Sequence, residues 1–144
     1  MSVLNLRPAN LSDMWFLFDL RNHPAVRKYS NNTDEINPKN HQKWFEAVLL
    51  DRSKQIFIAD RGGQLVGMVR FEKVDNTYLM SWAISPEVHG QGMGKDMLKN
   101  AVELMAGCQL AAEIKEDNLA SIKIAEFVGM MRVKKIKDTL LYQK

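Results

Sequence analysis

Three alternating glycines, Gly90, Gly92 and Gly94, restrict the folds open to this chain more than any other segment. They stand between a strand-like run over residues 78–84 and an amphipathic helical pattern that begins at Met93. Glycine allows positive φ and a close approach of the backbone to a bulky anion. The first turn of the following helix adds free N–H groups with partial positive charge. The segment therefore predicts a turn that binds pyrophosphate.

Two common phosphate-binding loops do not fit this segment. A Walker loop requires glycine where the chain has His89, and serine or threonine where it has Asp96. A dinucleotide-binding turn requires its third glycine at position 95, which is Lys95, and begins directly after a strand. Glycines that serve only a tight loop are a further alternative, but it does not explain why they lead directly into a strongly amphipathic helix.

Hydrophobic periodicity along the chain predicts the element order β-α-α-β-β-β-α-β-α-β-β. The predicted strands cover residues 3–6, 55–59, 65–72, 78–84, 109–114, 132–136 and 139–142. The predicted helices begin after the capping residues Asn10 and Asn37 and cover residues 93–106 and 118–128, the last closed by Gly129. This order predicts a layered α/β (α+β) domain with a mixed central sheet. No linker divides residues 1–144, which we treat as a single domain.

Composition excludes several classes of protein. The 144 residues are 46% hydrophobic and 26% charged, as in an ordinary globular domain and unlike a disordered chain. No apolar run approaches the ~20 residues of a membrane span, and residues 1–6 lack the pattern of a secretory signal. The single cysteine, Cys108, cannot form an internal disulfide. We therefore expect a cytoplasmic protein without a membrane partner, and a net charge of +3 is too small to indicate nucleic-acid binding.

The glycine segment resembles the acetyl-CoA-binding motif of the GCN5-related N-acetyltransferases (GNAT). That motif is Arg or Gln, two residues, Gly, one residue, then Gly or Ala. Here it reads His89-Gly90-Gln91-Gly92-Met93-Gly94, after Pro86-Glu87 and with histidine in the leading position. A second stretch, Asn118-Leu119-Ala120-Ser121 with Phe127-Val128-Gly129-Met130 at its end, is similar to the family's Asn-x-x-Ser helix closed by Leu-Gly-Phe. The predicted element order is also the family's order.

The resemblance implies the GNAT fold, in which strands four and five splay apart around the pantetheine arm of acetyl-CoA, and it implies no metal. Backbone groups at the end of strand four would hold the arm and polarise the thioester carbonyl, while amides of the glycine turn would take the pyrophosphate. The expected coenzyme-binding residues are Trp82, Ala83, Ile84, His89, Gly90, Gln91, Gly92, Met93, Gly94, Lys95, Asn118 and Ser121.

The resemblance also implies catalytic residues, for which Glu113 and Asn118 are the candidates. An ammonium group cannot attack a thioester, and Glu113 matches the glutamate that serves as the general base in several family members. A solvated strand carboxylate is the alternative interpretation of Glu113. Ala125 stands where many members have a tyrosine that protonates the leaving thiolate, so water, Tyr142 or Tyr78 would have to replace it. The missing tyrosine keeps open a CoA-binding module without catalysis.

The N-terminal third carries the residues expected to bind the acceptor, namely Arg21, Asn22, His23, His41 and Trp44. The stretch Arg21-Asn22-His23-Pro24, followed by His41 and Trp44-Phe45, resembles the nucleotide-sugar N-acetyltransferases. Those enzymes acetylate a 4-amino sugar on a uridine diphosphate carrier. Trp44 and Phe45 also fit a buried helix stripe with Val48 and Leu49, and His23 also fits a helix-end histidine.

Other acceptors stay open at this point. A protein N-terminal or ribosomal-protein acetyltransferase would need a peptide groove lined by residues 31–37. A polyamine or aminoglycoside enzyme would favour an acidic acceptor surface, which the net charge of +3 mildly disfavours. The expected partner is a small-molecule amine, with a homodimer as one candidate assembly. Three histidines and one cysteine have no metal-ligand spacing.

Overall fold

The computed structural model describes residues 3–144, so Met1 and Ser2, part of the segment inspected for a secretory signal, lie outside the described residues. The strands are β1 (Leu4–Pro8), β2 (Lys54–Arg61), β3 (Gln64–Val74), β4 (Thr77–Ile84), β5 (Gln109–Lys115), β6 (Met131–Ile136) and β7 (Thr139–Gln143). The helices are α1 (Met14–Asn22), α2 (Pro24–Arg27), α3 (Pro38–Leu50), α4 (Met93–Leu104) and α5 (Leu119–Phe127). Short 3₁₀ turns at Leu11–Asp13 and Pro86–Val88 precede α1 and the glycine turn, which comprises residues 90–95.

The predicted order of strands and helices is confirmed except for one short helix, α2, that the sequence analysis did not expect. The segment 22–24 ends α1 as predicted. It also begins α2, because Pro24 takes the first helical position and His23 Nδ1 accepts the Ala25 N–H at 3.1 Å. The strand β1 runs past its predicted end to Pro8, which still pairs with Phe57 of β2. Proline is tolerated there because β1 lies at the edge of the sheet.

Polar contacts fasten the start of α1 to the sheet. Asn10 and Asp13 form the capping box that begins the 3₁₀ turn, and the Asn10 N–H donates to Asp13 Oδ2 at 2.9 Å. The buried Asp13 carboxylate also accepts two hydrogen bonds from Arg7 of β1, each 2.8 Å long. These hydrogen bonds hold the pKa of Asp13 below its usual range. The ion pair therefore ties the first strand to the helical layer.

All seven strands in residues 3–144 form one sheet in the order β1-β2-β3-β4-β5-β7-β6. Only β4 and β5 are parallel neighbours, and the other pairs are antiparallel. The predicted meander of β2, β3 and β4 is confirmed. The predicted fold class is also confirmed, since the chain forms a layered α/β domain with one mixed central sheet.

Helices cover both faces of the sheet and bury two apolar cores. One core lies against α4 and α5, and the other lies against α1 and α3. Neighbouring residues of β3 alternate between them, because Val69 and Phe71 belong to the first core and Met68 to the second. Leu49 of α3 was expected in the buried stripe but is 37% exposed. It lies one residue beyond the buried Val48, and one residue turns a helix by about 100°.

The parallel strands β4 and β5 separate soon after they meet. Three residue pairs join them: Thr77 with Gln109, Tyr78 with Leu110, and Leu79 with Ala111. Beyond Leu79, β4 keeps its partner β3 on one edge, and beyond Ala111, β5 keeps its partner β7. The facing edges of residues 80–84 and 112–115 have no strand partner in the part of the chain described. This is the expected splay between strands four and five.

Close packing around Gly67 of β3 holds the far end of β4 in place. A Cβ atom on Gly67 would lie 2.6 Å from the Ala83 carbonyl oxygen, 3.0 Å from Ile84 Cδ1 and 3.1 Å from Met97 Sδ of α4. No side chain fits between these atoms without moving them. The missing side chain at Gly67 therefore allows α4 to pack directly on the strand that borders the splay.

We expect Gly67→Ala to destabilise the fold by about 1–3 kcal/mol, because the new methyl group overpacks a backbone contact. The melting temperature should fall by several degrees, and Gly67→Val should lower it further because the added volume is larger. Circular dichroism melts of the three proteins measure this series. A melting temperature unchanged in Gly67→Ala would contradict the close packing.

Candidate active site

The glycine turn presents a row of backbone amides to solvent. Gly90 and Gly92 have φ of 80° and 76°, and a Cβ atom at either position would meet open space. The N–H groups of residues 90–95 donate to no backbone carbonyl in residues 3–144, and the first helical bond of α4 runs from the Asp96 N–H to the Gly92 oxygen at 3.3 Å. Such a row of free donors at a helix start can hold a diphosphate.

Side chains around the turn mostly support the loop itself. His89 Nε2 lies 3.1 Å from the Ile84 carbonyl oxygen, so this nitrogen donates the hydrogen and ties the loop back to β4. Arg61, at the end of β2, reaches Gln91 Oε1 at 3.4 Å and Met93 Sδ at 3.7 Å. Arg61 was not predicted from the sequence, because it is distant in the chain and reaches the turn only where β2 ends beside it.

Lys95 and Gly94 lie in the first turn of α4. Lys95 is exposed beside the amide row, with its Nζ 5.2 Å from the Phe127 ring centroid. Gly94 serves packing rather than the turn, because a Cβ atom there would lie 2.5 Å from Ile124 Cδ1 of α5. The absence of a side chain at Gly94 brings α5 against α4, so both helices border the cleft.

The far end of β4 forms one wall of the splay. Trp82, Ala83 and Ile84 are half-buried there and pair only with β3. The Trp82 indole Nε1 is buried and has no hydrogen-bond partner in residues 3–144. A buried donor without an acceptor is costly, so this indole carries an unsatisfied hydrogen bond beside the splay.

The opposite wall begins at Asn118, which caps α5. Its Oδ1 accepts the Ser121 N–H at 3.2 Å, which explains the Asn-x-x-Ser spacing. The Asn118 side chain still has its NH₂ donors for a ligand. The two predicted motifs therefore stand at the starts of the neighbouring helices α4 and α5, which follow the two splayed strands β4 and β5.

Comparison with known proteins supports this arrangement. The sequence matches the family model for the acetyltransferase (GNAT) domain over residues 4–131. The chain belongs to the GNAT family. A GNAT domain of this kind is an acetyl-CoA-dependent N-acetyltransferase. The resemblance to the GNAT family and the expected coenzyme are therefore confirmed. A comparison with curated proteins found no match by sequence.

Solved structures share the fold of this GNAT domain at low sequence identity. A domain from Methanocaldococcus jannaschii is 18% identical with a TM-score of 0.85, covering 100% of this chain and 99% of that one. Spermidine N-acetyltransferase from Vibrio cholerae, in complex with CoA and spermine, is 14% identical with a TM-score of 0.84, covering 97% and 92%. The aminoglycoside acetyltransferase AAC(6')-Ib, in complex with CoA, is 17% identical with a TM-score of 0.83, covering 97% and 92%.

Glu113 lies beside the splay on the face of the sheet that carries α1 and α3. Its neighbours Ala112 and Ile114 belong to the core under α4 and α5, so Glu113 points to the opposite face. It stands two residues beyond Ala111, the last residue of β5 that pairs with β4. The side chain is exposed, and none of the salt bridges in residues 3–144 involves it.

The residues considered for protonating the leaving thiolate are not equally placed. Ala125 is fully buried in the core under α5. Tyr78 lies in the closed part of the β4–β5 pair, away from the splay. Tyr142 is buried opposite Ala112, and its hydroxyl donates to Glu126 Oε2 at 3.2 Å. Burial, with a smaller contribution from Glu126, raises the pKa of Tyr142, so its hydroxyl stays protonated at neutral pH.

Three of the expected acceptor residues come together between α1 and α3, with His41 buried and Arg21 and Trp44 half-buried. Arg21 Nη1 donates to His41 Nδ1 at 3.0 Å, and His41 Nε2 donates to the Met14 carbonyl oxygen at 2.8 Å. These partners fix the histidine tautomer, because arginine only donates and a carbonyl only accepts. The Arg21 guanidinium stacks 3.9 Å from the centroid of the Trp44 ring. His41 therefore orients Arg21 from a fully buried position and does not itself reach solvent.

The two remaining acceptor candidates form contacts within the chain. Asn22 Oδ1 accepts the Ile36 N–H at 2.9 Å and so holds the loop before α3, and His23 caps α2. Arg70, whose guanidinium lies 5.8 Å from the Trp44 ring centroid, was not predicted from the sequence. A charged residue inside the otherwise apolar run of β3 was the available signal for it.

Within residues 3–144, no group of three or more histidine, cysteine, aspartate or glutamate side chains is arranged to hold a metal ion. No helix in that range is both long and apolar enough to cross a membrane. A shallow groove between β1 and α4, lined by residues such as Leu6 and Glu103, includes none of the predicted site residues.

Buried His41 makes the stability of the fold depend on pH. Burial, with a smaller contribution from Arg21, lowers the pKa of His41 below its usual value near 6.5. A histidine whose pKa is lowered on folding stabilises the folded state above the unfolded pKa and loses that contribution as the pH falls. The free energy of unfolding should therefore decrease below about pH 6.5, by up to about 1.4 kcal/mol per pH unit.

Urea unfolding between pH 8 and pH 5 tests this expectation. His41→Gln should flatten the decrease while lowering stability at pH 8, because it also loses the two hydrogen bonds. Gln42→Ala, on the exposed side of α3, is the control and should keep the wild-type pH dependence. An equal pH dependence in His41→Gln and the wild type would contradict the role of His41.

Proposed function

We propose that this N-acetyltransferase transfers the acetyl group of acetyl-CoA to the 4-amino group of a nucleotide-linked amino sugar, as required in surface-glycan synthesis. We call the face of the sheet that carries α1 and α3 the acceptor face. The observation that carries the proposal is the position of Glu113 on this face, beside the splay, while the free amides of residues 90–95 follow the splayed end of β4. Coenzyme and acceptor thus approach the splay from opposite faces of the sheet.

The chain holds the coenzyme mainly with backbone groups. The amides of residues 90–95 bind the pyrophosphate, and Lys95 adds a full positive charge beside them. The unpaired edge of residues 80–84 and the NH₂ group of Asn118 bind the pantetheine arm from its two sides. One N–H of that edge donates to the thioester oxygen and stabilises the negative charge that develops there during attack. Bound acetyl-CoA supplies the activated acetyl group.

Glu113 acts as the general base. It removes a proton from the acceptor ammonium, and the free amine attacks the thioester carbon. The C–S bond then breaks, and the attacking nitrogen loses its second proton, which passes through water to the departing thiolate. A thiol has a pKa near 8.5, so an unassisted thiolate at pH 7 lies only about 2 kcal/mol above its protonated form. Water can therefore protonate the leaving thiolate without the tyrosine that Ala125 replaces.

Features of the acceptor side support an acceptor that carries negative charge. Arg21 and Trp44 lie against each other on the face that Glu113 borders, and they offer a cation and an aromatic plane. Two of the solved structures named above are described as a spermidine N-acetyltransferase and an aminoglycoside acetyltransferase, and spermidine and aminoglycosides are polycations. An arginine on the acceptor side would repel such molecules and attract a phosphate.

An assay of thiol release against uridine-diphosphate-linked 4-amino sugars, free amino sugars, peptides and polyamines tests this function. We expect acetyl-CoA turnover with the nucleotide-linked amines and little with polyamines. Turnover confined to peptides or polyamines would overturn the choice of acceptor. Binding of CoA without thiol release from any amine would show a binding module instead of an enzyme.

We expect Gly92→Ala to weaken acetyl-CoA binding about tenfold, because a residue with Cβ at this positive φ costs about 1–2 kcal/mol and the turn must shift to avoid it. Isothermal titration with CoA measures the affinity. Gly107→Ala is the matched control, since Gly107 also has positive φ (86°) and open space around its Cβ position but lies between α4 and β5. Equal affinities in the two variants would contradict the binding role of the turn.

We expect Glu113→Gln to lower turnover at least about tenfold while CoA affinity stays unchanged, because the amide cannot accept the proton. Steady-state kinetics and CoA titration measure the two effects. Glu103→Gln, an exposed glutamate on α4, is the control and should behave as the wild type. Unchanged turnover in Glu113→Gln would remove Glu113 from the mechanism.

A further inference from the structure

A cluster of two arginines and a tryptophan, Arg21, Arg70 and Trp44, lies on the acceptor face of the sheet. The ring centroid of Trp44, on α3, lies 3.9 Å from Arg21 Cζ and 5.8 Å from Arg70 Cζ. Arg21 comes from the last turn of α1 and Arg70 from the middle of β3. Three separate elements thus bring two positive charges to one place.

The positive charge of this arginine–tryptophan cluster is only partly compensated. Arg70 forms a salt bridge with Glu72 at 3.0 Å, while Arg21 has no salt bridge within residues 3–144. The neutral His41 ring accepts one hydrogen from Arg21 and contributes no charge. Burial and the nearby Arg70 lower the pKa of Arg21, because both raise the free energy of its charged form. Arg70 Nε is also buried without an acceptor in the same range.

The position of the cluster relates it to the reaction. Arg70 pairs across the sheet with Ser81, which lies two residues beyond Leu79 on β4. Glu113 lies two residues beyond Ala111 on β5, and Leu79 pairs with Ala111. Arg70 and Glu113 therefore stand two strands apart on one face, at least about 10 Å between backbones. A single small molecule can reach both the base and the cluster.

We propose that the arginine–tryptophan cluster binds an oxyanion carried by the acceptor, a phosphate or a carboxylate, and that Arg70 thereby selects the acceptor. This inference rests on the proposed function, because it places the anion on the molecule whose amine Glu113 deprotonates. Arginine suits the role because its planar fork donates two parallel hydrogen bonds to either group. Glu72 competes for the same guanidinium and so limits the affinity.

Isothermal titration of the CoA-saturated protein tests the inference, since bound CoA occupies the amides of residues 90–95. The probes are uridine 5′-diphosphate, inorganic pyrophosphate and glutarate, which represent a nucleotide phosphate, a free phosphate and a carboxylate. Arg70→Gln should weaken binding of the preferred probe at least about tenfold, because it removes charged hydrogen bonds. Glu72→Gln should tighten the same binding several-fold. Arg52→Gln, an exposed arginine on the turn after α3, should match the wild type.

The outcomes separate this inference from the proposed function. Failure of CoA to bind would overturn the proposed function, and the anion titrations would then be read on the free protein with the same variants. Normal CoA binding with no anion bound, or with equal anion affinity in the wild type and Arg70→Gln, would overturn the inference alone. Because Glu72→Gln acts in the opposite direction, a folding defect in Arg70→Gln cannot imitate the expected pair of results.

Discussion

The separation of two parallel strands after three residue pairs governs the rest of this structure. In a closed sheet the backbone groups of β4 and β5 would satisfy each other, and here those of residues 80–84 and 112–115 face an open cleft. Unsatisfied backbone groups are costly when buried, so the cleft must stay wet or be filled by a molecule with its own amide groups. A pantetheine arm has this chemistry. The glycine turn at the start of α4, with its free N–H groups, follows the splayed end of β4.

Close packing fixes the elements beside the splay. Gly67 lets α4 approach the end of β4, and Gly94 lets α5 approach α4. The His89 side chain fixes the loop that joins β4 to the glycine turn. If the coenzyme binds there as proposed, it meets a preformed site, which lowers the entropic cost of binding. On the other face, the buried His41 orients Arg21 in the same way.

Sequence reasoning was most accurate where the signal was local. The starts of α3 and α5 depend on the capping residues Asn37 and Asn118, whose contacts lie within three positions. Predictions from the sequence were less accurate where elements distant in the chain determine the packing of a residue. Leu49 was expected in the buried stripe but is 37% exposed, because it lies about 100° around α3 from the buried Val48. Asn22, a predicted acceptor-binding residue, also holds the loop at Ile36 through a contact that the sequence does not show. No periodicity in one segment shows which other segment will pack against it.

The sequence alone determined the family, the element order, and the positions of the glycine turn and the Asn-x-x-Ser cap, because each depends on backbone conformation over a few neighbouring residues. Tertiary structure decided which residues meet at the acceptor face. Arg21, Trp44 and Arg70 come from two helices and a strand that are far apart in the chain. The charges of the two arginines act through space, so they reinforce each other only once strand pairing and helix packing have brought them together.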